Sequence, residues 1–235
     1  MDGTRHSIVR NEPGGPASGG PKSPPEITTS QPRKNTELHK AVKEKKNSKK
    51  KKAEVKALLE KNPDLLNIQN EDDGATALHL AVYLGEHEIV ETLLKEEADL
   101  SIGDNCGWLP LHIAAWYNHK EIVALLLAEE AGADPNIQDA AYKWTPLHVA
   151  TYMGYDEIVK LLLAAEADPD IQDAEYKCTP LHVATDKGYD EIVKLLLAAE
   201  ADPDRVDKRG ATPLDIAKKR GKNSTVKILK QAEEG

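Results

Sequence analysis

Phenylalanine is absent from this chain of 235 residues, and only two cysteines and two methionines are present. The apolar side chains are therefore mainly those of Leu, Ile, Val and Ala, which predicts an aliphatic core. Cys106 and Cys178 are too few for a disulfide framework and favour a reducing compartment. The longest purely apolar run, Ile122 to Ala128, is far shorter than the ~20 residues of a membrane-spanning helix. No segment resembling a signal peptide opens the chain, so we expect no membrane span and a cytoplasmic or nuclear location.

Basic residues are scarce in the middle of the chain. Residues 61–204 contain 8 Lys and Arg against 29 Asp and Glu, whereas both ends of the chain are basic and the whole chain has a formal net charge of −9. Phosphate groups bind to clustered Lys and Arg side chains. This composition argues against a nucleic-acid partner and predicts acidic surroundings for any binding site in the middle region.

A six-residue phrase recurs along the sequence. Its copies TELHKA, TALHLA, LPLHIA, TPLHVA, TPLHVA and TPLDIA begin at Thr36, Thr76, Leu109, Thr145, Thr179 and Thr212. The last five copies are 33 to 36 residues apart, and each phrase is followed by a second apolar phrase such as DEIVKLLL. One such unit cannot bury its apolar face alone, whereas stacked units can, so the period predicts a solenoid.

The local chemistry of one unit predicts two short helices. Thr145 is a good N-cap and Pro146 suits the first helical position. Gly154 suits the left-handed residue that ends this helix. Asp156 and Glu157 then favour the start of a second helix, whose apolar residues form a wide stripe. The unit therefore reads as a helix, a tight connection, a second helix and a turn.

The phrase, its period and this order of elements resemble the ankyrin-repeat family. The resemblance covers residues 36–232 and implies an all-α solenoid of helix–turn–helix units joined by short hairpin-like turns. We expect six units, numbered one to six, at residues 36–70, 71–104, 105–138, 139–172, 173–206 and 207–232. Residues 1–35 are rich in Gly, Pro and Ser, which predicts a disordered tail.

Three departures from the family pattern are informative. Unit one carries an insertion, Lys45 to Lys52, which is either a nuclear import signal or a solvated loop between two helices. Glu97, Glu166 and Glu200 stand where the family usually has a helix-closing Gly, so we expect each to be held left-handed at a cost of roughly 1 kcal/mol. The turns before units four and five lack the usual Gly and are one residue longer.

Catalytic and metal-binding chemistry is not indicated by the sequence. It contains no glycine-rich phosphate loop and no nucleophile elbow. The histidines of successive phrases would lie in successive helix layers about 8–10 Å apart, whereas metal ligands share one ion at about 2–2.5 Å. The resemblance implies that these histidines form hydrogen bonds between units. We therefore predict a protein that is not an enzyme and uses no cofactor.

Units four and five contain an almost exact copy of 22 residues, Tyr142 to Leu163 and Tyr176 to Leu197. The copies differ only where Trp144, Tyr152 and Met153 are replaced by Cys178, Asp186 and Lys187. The resemblance implies that the residue before the TPLH phrase lies near the tip of the protruding turn. It also implies that the two residues before the helix-closing Gly point into the concave face, and that neither set is needed for stacking.

Eight of the ten aromatic residues occupy these positions or the turns beside them. Trp and Tyr are enriched at binding hot spots, so we predict a partner-binding surface there. Its residues are Tyr83, Trp108, Trp116, Tyr117, Tyr142, Trp144, Tyr152, Met153, Tyr176, Asp186 and Lys187.

The resulting hypothesis is a monomeric, non-catalytic module or adaptor that binds a protein or peptide, with a basic and apolar segment as the expected ligand. Three alternatives stay open. The large side chains could pack only against neighbouring helices, the two similar units being a recent duplication. The surface could bind a methylated lysine side chain of a partner protein. It could instead bind a small ligand such as an oligonucleotide among Trp116, Tyr152, Lys187 and Lys219.

Overall fold

The computed structural model describes residues 36–233, so the expectation of a disordered tail at residues 1–35 lies outside it. Within the described residues there are twelve α-helices, one 3-10 helix at Pro63–Leu65, and no β-strand. The α-helices are α1 (Glu37–Lys43), α2 (Ser48–Lys61), α3 (Ala77–Tyr83), α4 (His87–Lys95), α5 (Pro110–Trp116), α6 (Lys120–Leu127), α7 (Pro146–Met153), α8 (Asp156–Ala164), α9 (Pro180–Lys187), α10 (Asp190–Ala198), α11 (Pro213–Arg220) and α12 (Asn223–Glu233).

The helices form two stacked layers. Each odd-numbered helix packs against the next odd-numbered helix, and each even-numbered helix against the next even-numbered one. The core lies between the layers and is aliphatic, with Leu147, Ile158 and Leu162 among its fully buried side chains. Burial of one such side chain contributes roughly 1.5–3 kcal/mol. The prediction of an all-α solenoid is confirmed.

The start of α7 shows how the recurring phrase forms a helix. The hydroxyl of Thr145 accepts a hydrogen bond from the backbone N–H of His148 at 3.3 Å, and the backbone N–H of Thr145 donates to Nδ1 of His148 at 3.3 Å. Pro146 occupies the first turn, where its missing N–H is not needed. Gly154 ends the helix in the left-handed conformation, with φ of 75°. The same reciprocal cap is present at the starts of α3, α9 and α11.

A row of buried histidines joins each unit to the next, as the resemblance implied. We call it the histidine row: His39, His79, His112, His148 and His182. Each Nε2 lies 2.9–3.3 Å from the carbonyl oxygen of the last residue of the following turn. In units two, four and five, Nδ1 accepts a backbone N–H, so the proton is on Nε2, which donates to that carbonyl.

One member of this row lacks a partner. Unit three has Leu109 in place of the capping Thr, and Nδ1 of His112 has no hydrogen-bond partner. Burial lowers the pKa of His79, His112 and His148 to about 4. Burial also lowers the pKa of His39 and His182 below the ordinary histidine value. The histidine row is therefore mainly neutral at pH 7.

The turns between units are hairpin-like, although they contain no strand. The backbone N–H of Asp139 donates to the carbonyl of Trp144 at 2.9 Å, and that of Asp173 to Cys178 at 3.0 Å. Neighbouring turns are also bonded to each other, as where the N–H of Ala174 donates to the carbonyl of Tyr142 at 2.9 Å. The turns therefore form a continuous row along the edge of the odd-helix layer.

The expected left-handed glutamates are present. Glu97, Glu166 and Glu200 have φ of 63°, 61° and 62°. Gly132 occupies the corresponding place in unit three, with φ of 68°. Lys143 and Lys177 are also left-handed, with φ of 57° and 54°, in the two turns that lack glycine.

The insertion in unit one is not a solvated loop for most of its length. Asn47 caps α2, which begins at Ser48 and includes Lys49 to Lys52. The side chain of Lys51 is only 3% exposed, and its Nζ lies 2.5 Å from Oε1 of Glu86 at the start of α4. Lysine is a good helix former, so the run extends the helix rather than interrupting it. The loop interpretation is wrong for this part, and the import signal stays a prediction.

Candidate functional site

The largest group of aromatic side chains lies where the turns meet the odd-numbered helices of units three and four. We call Trp108, Trp116, Trp144 and Tyr152 the aromatic cluster. The rings of Trp108 and Trp116 meet edge to face with centroids 5.4 Å apart, as do those of Trp144 and Tyr152 at 5.4 Å. Trp116 and Tyr152 are nearly parallel across the two units, with centroids 6.5 Å apart and an interplanar angle of 16°. The four rings therefore form one connected structure.

Two members of this cluster are not where the sequence placed them. Trp108 and Trp144 were expected near the tips of the turns, but they are only 1% and 5% exposed. Each is the last residue of its turn, and its carbonyl accepts the hydrogen bond of the preceding unit's histidine, at 3.1 Å from His79 and 2.9 Å from His112. Such a residue lies at the base of the turn and its side chain packs inward. The expectation that these two tryptophans contact a partner directly is therefore wrong.

A signal for this burial was present in the sequence. The residues that precede the last five copies of the phrase are all apolar or sulphur-containing: Ala75, Trp108, Trp144, Cys178 and Ala211. Ala75 and Cys178 are each 1% exposed. A position that never holds a charged residue in successive units is typical of a core.

The remaining predicted aromatic residues are half-buried, so each presents part of its ring to solvent. Trp116, Tyr152 and Met153 lie at the ends of α5 and α7, and all three are of intermediate exposure. Tyr83 and Tyr117 form an edge-to-face pair with centroids 5.0 Å apart. Beside Tyr83, Leu84 is 38% exposed. These residues line the exposed side of the odd-helix layer, from unit two to unit four.

Tyr142 and Tyr176 belong to the turns rather than to the helices. Their backbone N–H groups each donate to a buried aspartate at 2.7 Å, Tyr142 to Asp139 and Tyr176 to Asp173. Burial raises the pKa of both aspartates. The two tyrosines are half-buried on neighbouring, hydrogen-bonded turns. They therefore border the same face as the aromatic cluster.

Side chains at the positions that differ between the copied units contact one another or a neighbouring unit. In unit four Trp144 packs on Tyr152, and Nζ of Lys187 from unit five lies 4.2 Å from the centroid of the Tyr152 ring. In unit five the corresponding positions hold Cys178 and Asp186, and Oδ1 of Asp186 accepts a hydrogen bond from Nε of Arg220 in unit six at 2.6 Å. These side chains do take part in packing between units, contrary to expectation.

No second type of site is evident among residues 36–233. No cluster of His, Cys, Asp and Glu side chains in that range could hold a metal ion, and no helix there is long and apolar enough to cross a membrane. A cavity of about 320 Å³ lies where the loop after α4 meets the loop after α6, and its lining is mainly aliphatic. The lining includes Gly132 and also Leu109, which replaces the capping Thr of the other units.

Comparison with known proteins agrees with this architecture. A model of ankyrin repeats (three copies) matches residues 38–139, 102–173 and 154–234. The chain belongs to the ankyrin-repeat family. Ankyrin repeats are generally protein–protein interaction modules, and the family is typically non-catalytic. A search of curated proteins gave no match.

The turns and odd-numbered helices of units four to six are not predominantly acidic, although the middle of the chain is. On the turns and odd helices of units four to six, the basic residues are Lys143, Lys177, Lys187, Lys208, Arg209, Lys218, Lys219 and Arg220. The unburied acidic residues on the same elements are Glu175, Asp186 and Asp215. Most of the acidic residues of units three to six belong instead to the even-numbered helices and the loops that follow them. The expectation of an acidic groove is therefore wrong for these units.

Proposed function

We propose that this ankyrin-repeat protein is a non-catalytic binding module that holds a partner protein or peptide on the exposed part of its aromatic cluster. The observation that carries the proposal is the near-parallel pair Trp116 and Tyr152, half-buried on adjacent units and supported from below by two buried tryptophans. The proposed contact residues are Trp116, Tyr152 and Met153, flanked by Tyr83, Tyr117, Tyr142 and Tyr176.

The support beneath these rings favours binding for a physical reason. An edge-to-face contact with a buried tryptophan fixes the ring of Trp116, and another fixes that of Tyr152. Side chains that are already ordered lose little entropy when a partner binds. Large aromatic side chains that are both rigid and partly exposed are frequent centres of binding energy. The cluster thus supplies preformed anchors.

The charges beside the cluster bear on the two alternative functions. A methyl-lysine cage needs free aromatic faces and no competing cation, but Lys187 lies 4.2 Å from the centroid of the Tyr152 ring. A small anionic ligand is the better second candidate, because Lys187 lies against the Tyr152 ring and Lys219 takes the position of Tyr152 two units further on. Binding of a multiply charged phosphate ligand would weaken steeply with added salt.

The proposal is tested by comparing the proteins captured from a cell lysate by three baits. One bait is the unaltered chain, one carries Trp116→Ala and Tyr152→Ala, and a control carries Tyr189→Ala at the start of α10. Circular dichroism checks that all three are folded. We expect a defined set of proteins to be lost with the first variant and kept with the control. If the same proteins remain with both, the aromatic cluster is not the binding site.

A further inference from the structure

We propose that the partner segment is acidic as well as apolar, the opposite charge to the one that the overall composition predicts. This inference rests on the binding function proposed above. In this arrangement an aromatic or aliphatic side chain contacts Trp116 and Tyr152, and neighbouring Asp or Glu residues contact the basic residues of units four to six. We call those residues the basic edge: Lys143, Lys177, Lys187, Lys208, Arg209, Lys218, Lys219 and Arg220.

The basic edge is continuous with the aromatic cluster. Lys187 touches the cluster directly, at 4.2 Å from the ring centroid of Tyr152. Lys143 immediately precedes Trp144 at the base of its turn, and Lys177 takes the corresponding place one unit further on. The turns that carry them are hydrogen-bonded side by side, since the N–H of Ala174 donates to the carbonyl of Tyr142 at 2.9 Å. The turn of unit six continues the row, because the N–H of Lys208 donates to the carbonyl of Tyr176 at 2.8 Å. A bound segment a few residues long would therefore span both surfaces.

Most charges of the basic edge are not neutralised within the described part of the chain. Arg220 is the member with an ion pair there, at 2.6 Å from Asp186. Lys208 makes a weaker contact, 3.4 Å from the backbone carbonyl of Glu175. Lys143, Lys177 and Lys219 are exposed and have no acidic side chain within ion-pair distance among residues 36–233. Such groups are available to carboxylates of a partner.

Of the three unburied acidic residues of the same elements, Asp186 and Asp215 are already engaged. The side chain of Asp186 is 7% exposed and is held by Arg220. Asp215 accepts the hydroxyl of Thr212 at 3.0 Å as part of a helix cap. Asp139 and Asp173 are buried and accept the N–H groups of their turns. The charges of this face that are left without an ion pair in the described residues are therefore mainly those of lysine and arginine.

The sign of the exposed charges changes along the row of turns, from negative in unit two to positive in unit six. The turn of unit two carries exposed Glu71 and Asp72, the cluster in units three and four is aromatic, and the turn of unit six carries exposed Lys208 and Arg209. Complementary charges steer association and fix the register of a bound segment. The acidic residues of the partner are therefore expected beside units five and six, next to the side chain anchored on Trp116 and Tyr152.

Selection from a displayed library of random peptides tests this chemistry without a known partner. Peptides are selected on the whole chain, and the affinity of the enriched sequences is measured by fluorescence polarisation. The charge variant carries Lys143→Glu, Lys177→Glu and Lys219→Glu. Glutamate tolerates the left-handed backbone at the first two positions, since Glu166 adopts φ of 61°.

A matched control carries the same change of charge on the other layer, at three exposed lysines of α8, α10 and α12: Lys160→Glu, Lys194→Glu and Lys227→Glu. We expect enriched peptides to combine Asp or Glu with an aromatic or aliphatic residue. Their affinity should fall roughly tenfold in the charge variant, should change little in the control, and should fall as salt is added.

The two proposals fail in different ways. Peptides that need Trp116 and Tyr152 but carry Lys or Arg, or no charge, would overturn the inference of an acidic partner and leave the binding function standing. An equal loss of affinity in the charge variant and the control would also overturn it. If no enriched peptide depends on Trp116 and Tyr152, both proposals are wrong.

Discussion

Replacing Glu166 with glycine should stabilise the fold, because the backbone there is left-handed with φ of 61°. A residue with a Cβ in this conformation costs roughly 1–2 kcal/mol relative to the right-handed one. Glycine removes that cost but makes the unfolded chain more flexible, which offsets about 0.4–1 kcal/mol. The expected net gain is about 0.5–1 kcal/mol at each such position. Glu97 and Glu200 have the same geometry, so the triple variant should gain about 2 kcal/mol.

The chain offers a matched control for this prediction at Gly132, which occupies the same place in unit three. A Cβ built on Gly132 would meet only the carbonyl oxygen of Glu129, at 3.8 Å, so no steric contact opposes a larger residue. Gly132→Ala should therefore lower the free energy of unfolding only because alanine is strained in the left-handed conformation. The loss should be about as large as the gain from Glu166→Gly. Glu166→Ala removes the carboxylate but keeps the strained backbone, and it should change stability little.

Urea unfolding followed by circular dichroism measures these effects through the midpoint and the slope. The slope is the change in the free energy of unfolding with urea concentration, and it changes if the repeats unfold in parts rather than together. Only variants with an unchanged slope can therefore be compared through their midpoints. The decisive comparison is between Glu166→Gly and Glu166→Ala. If the Glu166→Gly variant is no more stable than the Glu166→Ala variant, conformational strain at Glu166 does not limit the stability of the fold and the reasoning is wrong.

Three further predictions concern the packing between units. Trp144→Cys and Tyr152→Asp should each lower the free energy of unfolding. Because the two rings touch, the double variant should lose about 1 kcal/mol less than the sum of the two single losses. Strictly additive losses in a urea double-mutant cycle would contradict this. Stability should fall as the pH drops from about 7 towards 4. Burial holds the pKa of three histidines at about 4 in the folded chain, so between about pH 6.5 and pH 4 only the unfolded chain takes up these protons. The free energy of unfolding should then fall by about 1.4 kcal/mol per pH unit for each histidine. Equal urea midpoints at pH 7 and pH 5 would refute this prediction. Lys51→Ala should lower the melting temperature more than Lys51→Met, because Met keeps the buried stem packed; equal losses would assign the whole effect to the ion pair with Glu86.

Features fixed by neighbours in sequence were predictable from the sequence. The helix start at Thr145 depends on a hydroxyl and on a histidine three residues later, which the phrase itself contains. The left-handed conformation of Glu166 follows from its place at the end of a helix. Likewise, replacing Thr with Leu109 removes one half of a reciprocal cap, and Nδ1 of His112 is indeed left without a partner.

Features that depend on the next unit were harder to predict. Trp108 and Trp144 are apolar residues in turns, and nothing local distinguishes a side chain at the tip from one at the base. Their burial follows from the histidine of the preceding unit, which holds the turn by its carbonyl. The insertion in unit one differs from the expected solvated loop for another reason. A run of lysines looks solvated, yet Asn47 provides a cap and Lys51 finds an acidic partner in unit two.

The net charge along the chain describes neither face of the solenoid, because acidic and basic residues lie on different elements of each unit. Acidic residues such as Asp156, Glu157 and Asp168 lie on an even-numbered helix and the loop after it, whereas Lys143 and Lys177 lie in turns. Sorting residues by their position within the repeat, before adding charges, separates the two surfaces without a structure. A repeat sequence carries this information because each position in the period corresponds to one face of the solenoid.

The three differences between the copied units now have a physical interpretation as one coupled change. The bulky pair Trp144 and Tyr152 fills the boundary in unit four, and the small pair Cys178 and Asp186 replaces it in unit five. Asp186 can be nearly buried there because Arg220 neutralises it, and Lys187 covers the outer ring of the aromatic cluster. The 19 shared residues keep the helices and caps the same in both units. The differing residues therefore end the aromatic surface and begin the charged one, at a boundary that packing between the units determines.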